Sequence, residues 1–459
     1  MNSNEDANSS VPGKNYSLLD ALRDRRSRRF GLGMQIDGGA LAHKSRFAPR
    51  PLSEKEEAAL AFAACGITGY ALADLCYAPG AGANIMAGLV GRTFAGGDAI
   101  HSVALAVTND EATWLLKRPR DFSAGDLKEL IEKARADEFT EVYQRSRVLL
   151  DKHRARTPSE PLFNINVNRW SAHAPGTTSF VPINDLTLLY INGLLNVLDE
   201  TTGAFILDER AGFRPAGLSR FARSKGGHLE DDPAGGRVIT TKHVELMVAE
   251  FVAVEQGMML QNLALMTQAM GLGGFPSFAN HETGWFDALG FRMQTMPVSR
   301  YFGVNWLARS ALRIFGKDLP VSLPLALERD GALLLKPYCP PFFPTMRAAV
   351  EAVVELKFGA GGVFDGRNGI APWKDAQQVC DGVPRISDVA FEATVAYCEY
   401  LWERYRRFPV HVGPYRTVLG FQAMHLDAEF YEKFYREDAL SAAQREDFEK
   451  TRRGADTVR

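Results

Sequence analysis

Arg25-Arg26-Ser27-Arg28-Arg29 is a dense cationic cluster with a hydroxyl at its centre. Guanidinium groups donate forked, charge-assisted hydrogen bonds to phosphate, and a serine adds a short one. That set suits one phosphate monoester. The same residues also read as a solvated basic helix end, which the helix dipole favours. A nucleic-acid surface fits poorly, because no wider basic field or interleaved aromatics surround the cluster. A second set, Gly91-Arg92-Thr93-Phe94-Ala95-Gly96-Gly97-Asp98-Ala99-Ile100, stands directly before an apolar run. Its glycines let a flat ring lie against the backbone, with bare N–H groups available to ring carbonyls and nitrogens. An ordinary loop-to-strand turn is the alternative. A third set, Gly271-Leu272-Gly273-Gly274, ends a long apolar segment. It reads either as a helix C-cap or as backbone that can approach a ligand.

These sets need elements to hold them. Residues 245–274 carry Glu245, Glu250 and Glu255 in the first half and no charge afterwards. Apolar residues such as Met247, Val254, Met258, Leu263 and Met270 fall on nearly every face, so the segment is expected to be a helix buried all round. Its Glu, Gln and Asn residues argue against a membrane span. A short helix around Leu18, Leu19 and Leu22 precedes the arginine cluster. Ser53 with Glu56 has capping-box spacing and starts a helix over residues 54–65. The run SVALAVT at 102–108 predicts a buried strand. Asp330-Gly331 predicts a hairpin between 320–327 and 332–336. Helices are expected over 127–150, 185–198, 346–358 and 389–406 and in the charged tail from 427, with 409–424 extended.

The chain has 459 residues, 46% hydrophobic and 24% charged, with a net charge of −2. That is the composition of a globular protein with no global pull toward nucleic acid or membrane. The five cysteines form no CxxC pair and predict reduced thiols, hence a cytoplasmic location. No Walker A or GxSxG motif is present, and the nine histidines lack metal-ligand spacing.

The order of the three sets resembles the nitroreductase-like flavoprotein superfamily. RRSRRF at 25–30 is followed by PLSEKE at 51–56. GRTFAGGDAIHSVALAVTND at 91–110 leads from a small-residue loop into a strand, and is most similar to the azoline-dehydrogenase-like branch. MMLQNLALMTQAMGLGG at 258–274 ends a long helix. The resemblance implies an α+β fold: a central, mostly antiparallel sheet flanked by helices, with the long buried helix at a homodimer interface. It implies FMN as cofactor, with Arg25, Ser27 and Arg29, and also Arg26, on its phosphate. Ala95, Gly96, Gly97 and Asp98 would flank the ring, and Gly273 and Gly274 would approach its N5 edge.

The implied activity is hydride transfer to or from a small organic or peptide-derived substrate. NAD(P)H would serve as donor if the enzyme is a reductase. The implied layout is a disordered tail (1–15), a core (16–114 and 242–370), an insertion or lid (115–241) and a C-terminal extension (371–459). Two departures stand out: Ala95-Gly96 replaces the usual Pro-Ser, and Asp98 puts a carboxylate near the ring. The C-terminal basic phosphate contact has only Arg406, Arg407 and Arg416 as candidates. A flavin-free scaffold that binds a partner is the alternative reading.

Overall fold

The computed structural model describes residues 11–72, 88–96, 100–160, 164–278 and 283–456. Residues 1–10 of the expected tail lie outside them. Local signals act where the sequence places them. Ser17 accepts from Asp20 N and starts α1 (Leu18–Asp24). Ser53 and Glu56 close a reciprocal capping box on α2 (Glu54–Cys65). Asp185 accepts from the N–H groups of Thr187 and Leu188 and starts α3 (Leu186–Val197). Thr240 does the same through His243 N for α4 (Thr241–Ala269), the long helix. Later come α5 (Met346–Phe358), α6 (Asp388–Tyr405), α7 (Ala428–Phe434) and α8 (Ala442–Asp456).

The strands, in chain order, are β1 (Val103–Thr108), β2 (Thr113–Leu116), β3 (Arg147–Asp151), β4 (Thr178–Asp185), β5 (Gly273–Phe278), β6 (Phe291–Pro297), β7 (Pro320–Arg329), β8 (Ala332–Leu335) and β9 (Leu419–Met424). The central sheet runs β5-β9-β4-β1-β2-β3, and every neighbouring pair is antiparallel. Phe180 of β4 pairs with Val107 on one side and Phe421 on the other. Strands β6, β7 and β8 form a separate sheet. Asp330 and Gly331 both take positive φ in its hairpin, as a tight primed turn requires.

Residues 115–241 supply β3, α3 and β4, and every residue of β4 is buried between two sheet neighbours. Pro182 hides this strand, because a proline argues against a central position. Here the Pro182 carbonyl accepts instead from the Gln256 side chain, 3.3 Å away. Residues 371–459 supply β9, which stands between β5 and β4, and α6, which packs with α3, α4 and α5 in the main apolar core.

Helix α4 is buried along one side only. Val244, Val248, Val252, Met259 and Leu263 face the core, while Leu246, Val254 and Met258 are 44, 50 and 44% exposed. The expectation of burial all round therefore fails within one chain. Leu18, Leu19 and Leu22 of α1, which packs against α4, are exposed as well. Three buried polar residues of α4 are tied to other elements, although Gln256 Oε1 has no partner among the described residues. Glu245 accepts from the N–H groups of Val410 and His411, Glu255 accepts from Asn184 Nδ2, and Gln256 donates to Asn184 Oδ1 and Arg416 O.

Candidate functional site

Arg25 ends α1 by donating its backbone N–H to Ala21 O. The chain then crosses the start of β5 as a strap, with Arg28 bridging Gly274 and Gly31 bridging Leu426. This crossing explains both glycines. A Cβ on Gly273 would stand 2.2 Å from Leu426 Cδ2, and one on Gly274 would stand 2.5 Å from the Phe421 ring. The pair is thus sealed between the strap and β9, with Gly273 and Gly274 in register with Met424 and Ala423. The turn before it is a helix stop, with Gly271 at φ 77°.

The five strap residues divide into two kinds. Arg28 is 3% exposed. It donates Nε to Ala439 O (2.6 Å) and Nη1 to Gln268 Oε1 (2.8 Å) and Asp24 O (3.3 Å). Burial lowers its pKa from the ordinary arginine value. Arg29 donates Nη2 to Val167 O, Asn168 Oδ1 and Ser171 Oγ at 2.8–3.0 Å, and lies 4.4 Å over the Phe275 ring. Its buried Nε has no partner. Arg25, Arg26 and Ser27 are exposed. Arg26 meets Asp438 at 3.3 Å, a surface pair that water and salt screen.

The strap opens onto a cleft of about 860 Å³. Arg26, Ser27 and Arg29 form one side, and Trp170, Phe430 and Tyr435 supply aromatic walls. Phe430 stacks on Phe30 at 4.1 Å. Arg436 also lines the cleft, and nothing in its local sequence marks it. None of Arg406, Arg407 and Arg416 lines it. Arg406 caps α6 at φ 53°; Arg407 is buried, donates to Tyr301 O and Pro409 O, and lies 3.7 Å over the Tyr301 ring; Arg416 pairs with Asn184.

The second set lies beside α4. Thr93 O accepts from Asn262 Nδ2 at 2.8 Å. Arg28 meets α4 six residues later, at Gln268, about 9 Å on by the helical rise. Ala95 and Gly96 are exposed. Gly97 and Asp98 lie outside the described residues. The strap and the glycine pair therefore come together, and the loop is fastened further along the same helix.

A trio invisible in the sequence lies behind the strap. His425, 1% exposed, shares Nδ1 with Asp447 Oδ2 at 2.7 Å and faces Glu56 Oε2 at 3.5 Å. The three residues present the donor set of a metal site, but their spacing is that of an imidazolium between two carboxylates. Burial would lower the His425 pKa; the two carboxylates outweigh it and raise it. Burial would raise Glu56, but His425 and Ser53 hold it down to about 2. The trio ties α2, the end of β9 and α8 together.

Among the described residues no helix is long and apolar enough to cross a membrane, and Cys65, Cys339, Cys380 and Cys398 are free thiols. Cys76 lies outside the described residues. No protein-family model and no curated protein matches the chain. Among solved structures, a protein of Ralstonia eutropha classed provisionally as a nitroreductase aligns with 60% of this chain and 76% of its own. It has a TM-score of 0.29 and 12% identity. A likeness at that level assigns neither fold nor chemistry.

Proposed function

We propose that the protein is an FMN-dependent oxidoreductase of the nitroreductase-like kind, working as a homodimer. One observation carries this reading: Arg26, Ser27, Arg28 and Arg29 line a large aromatic-walled cleft, with Arg25 exposed beside them, and Arg28 and Arg29 also tie the strap to Gln268 and Asn168. The phosphate end fits FMN. Arg25, Arg26 and Ser27 would donate to the phosphate, and Arg436 adds a further positive charge. Trp170, Phe430 and Tyr435 would keep water from the ligand. Ala95 and Gly96 offer little side chain and would lie beside the ring, with Gly97 and Asp98 next in that loop. Gly273 and Gly274 would act by letting the strap pack close. When bound, FMN supplies hydride exchange at N5, with NAD(P)H as the donor in a reductase and a small organic or peptide-derived molecule as substrate. The exposed stripe of Leu246, Val254 and Met258, with Leu18, Leu19 and Leu22, is the face a second copy would cover.

A second reading, a flavin-free scaffold that binds a partner, is favoured by the sealed glycine pair, which leaves no open backbone at that edge. The visible spectrum of the purified protein decides between them. The first reading expects a yellow protein that releases about one FMN per chain on denaturation. A colourless protein that takes up no added FMN would leave the scaffold. Sedimentation tests the dimer separately: a monomer at high concentration would remove that part.

A further inference from the structure

A second cavity, of about 350 Å³, lies between the 119–122 turn, the start of α3 and one face of α5. No residue lining it lines the arginine-strap cleft. Its size is at the low end for small-molecule sites, about 300–1,000 Å³. Its walls are mainly apolar, with Leu89, Ile100, Phe122, Leu188, Val353 and Leu356 among them.

Arg120 lines this cavity, and its Nη1 and Nη2 are closed off from solvent yet donate to nothing among the described residues. The neighbouring charges do not relieve it. Arg118 and Asp121 form their own forked pair, with Nε and Nη2 each 2.9 Å from a carboxylate oxygen. Asp185 spends Oδ1 on the N–H groups of Thr187 and Leu188 and on Thr187 Oγ1. Its Oδ2 has no hydrogen-bond partner, and neither does the buried Tyr415 hydroxyl. Lys357, 4% exposed, donates to Asn192 Oδ1 at 3.2 Å. Glu355, the one carboxylate among the lining residues, is exposed to solvent.

A buried donor without an acceptor bears its full desolvation cost, and the cost is greatest for a charged group. A guanidinium is the side chain best shaped to hold a carboxylate by two parallel bonds. Two terminal nitrogens without acceptors, at the wall of a mainly apolar chamber, match a carboxylate on an apolar body. We propose that this cavity binds a small apolar molecule carrying one carboxylate, with Arg120 as its counter-ion. The apolar walls would take the body of the ligand. The site does not depend on flavin, so it stands or falls apart from the oxidoreductase reading.

Calorimetry on the full chain with octanoate and octanol tests it. Octanoate should bind at one site at least about tenfold more tightly than octanol. Arg120→Met should abolish that preference. Ala352→Phe, which adds a ring to the cavity wall on α5 and leaves Arg120 in place, should abolish binding of both. If Arg120→Met fails to fold, the wild-type preference and Ala352→Phe decide. Absence of octanoate binding, equal binding of the alcohol, or unchanged octanoate binding in either folded variant would overturn the proposal.

Discussion

Arg28 and Arg120 are both removed from solvent at their tips, yet Arg28 gives its hydrogens to Gln268 Oε1, Ala439 O and Asp24 O, while the terminal nitrogens of Arg120 give theirs to nothing among the described residues. The first belongs to the most conspicuous charge cluster in the chain and acts as a strut. The second follows a short apolar strand and faces an unclaimed cavity. Charge density along the chain therefore does not say which arginine is open to a ligand. The acceptors around each guanidinium do.

The largest effect should come from breaking the strut. Arg28→Ala removes the donor from Ala439 O and the shorter bonds to Gln268 Oε1 and Asp24 O, and should lose about 3 kcal/mol in denaturant unfolding. Arg120→Met should lose far less, since an apolar side chain suits an apolar wall. Equal losses in the two variants would erase the contrast. Next in size is Gly274→Ala, whose new methyl meets the Phe421 ring and should cost about 2 kcal/mol in the same measurement. No loss would mean that the Phe421 ring yields and that β5 and β9 are not tightly packed there. Arg25→Ala with Arg26→Ala should leave the melting temperature unchanged, because both residues are exposed. It should weaken FMN binding about tenfold, read by fluorescence titration. Unchanged FMN affinity would remove the exposed arginines from the proposed phosphate site.

The smallest effect concerns pH. Glu56 is held down to about 2 from 4.5, so its contribution is complete above pH 4.5 and disappears as pH falls through about 2. His425 is held above 6.5, so its contribution is complete below that value and disappears as pH rises through the raised pKa. Stability from the trio should peak between 4.5 and 6.5. Unfolding of the wild type and of Glu56→Gln at about pH 3, 5.5 and 8.5 checks this. The difference between the two should be greatest at the middle value, and a flat difference would show that the trio is not ionically linked.

What the sequence makes legible is local. Ser53 with Glu56, the Val103–Thr108 run and Asp330-Gly331 each act through neighbours a few residues away, and each forms the expected element. Strand β4 is not legible, because Pro182 sits inside it and the side-chain donor that uses its carbonyl comes from α4. Gly273 and Gly274 read as an open turn because the Phe421 and Leu426 side chains that close it lie far along the chain. The same distance hides Gln268 behind Arg28, Trp170 beside Arg29, and Arg436 at the cleft. The arginine cluster itself is visible, but its division into struts and free cations is a tertiary property.

The place of β9 has a consequence for how the chain is made. It is the strand that joins β5 to β4, and it is the last strand of the central sheet along the chain. During synthesis the earlier strands can pair among themselves, but β5 and the outer side of β4 stay as two open edges until Met424 has left the ribosome. Open edges of this kind recruit other strands. Sheet closure here waits for the last strand of the sheet to be made, and a nascent chain stalled before β9 keeps both edges open.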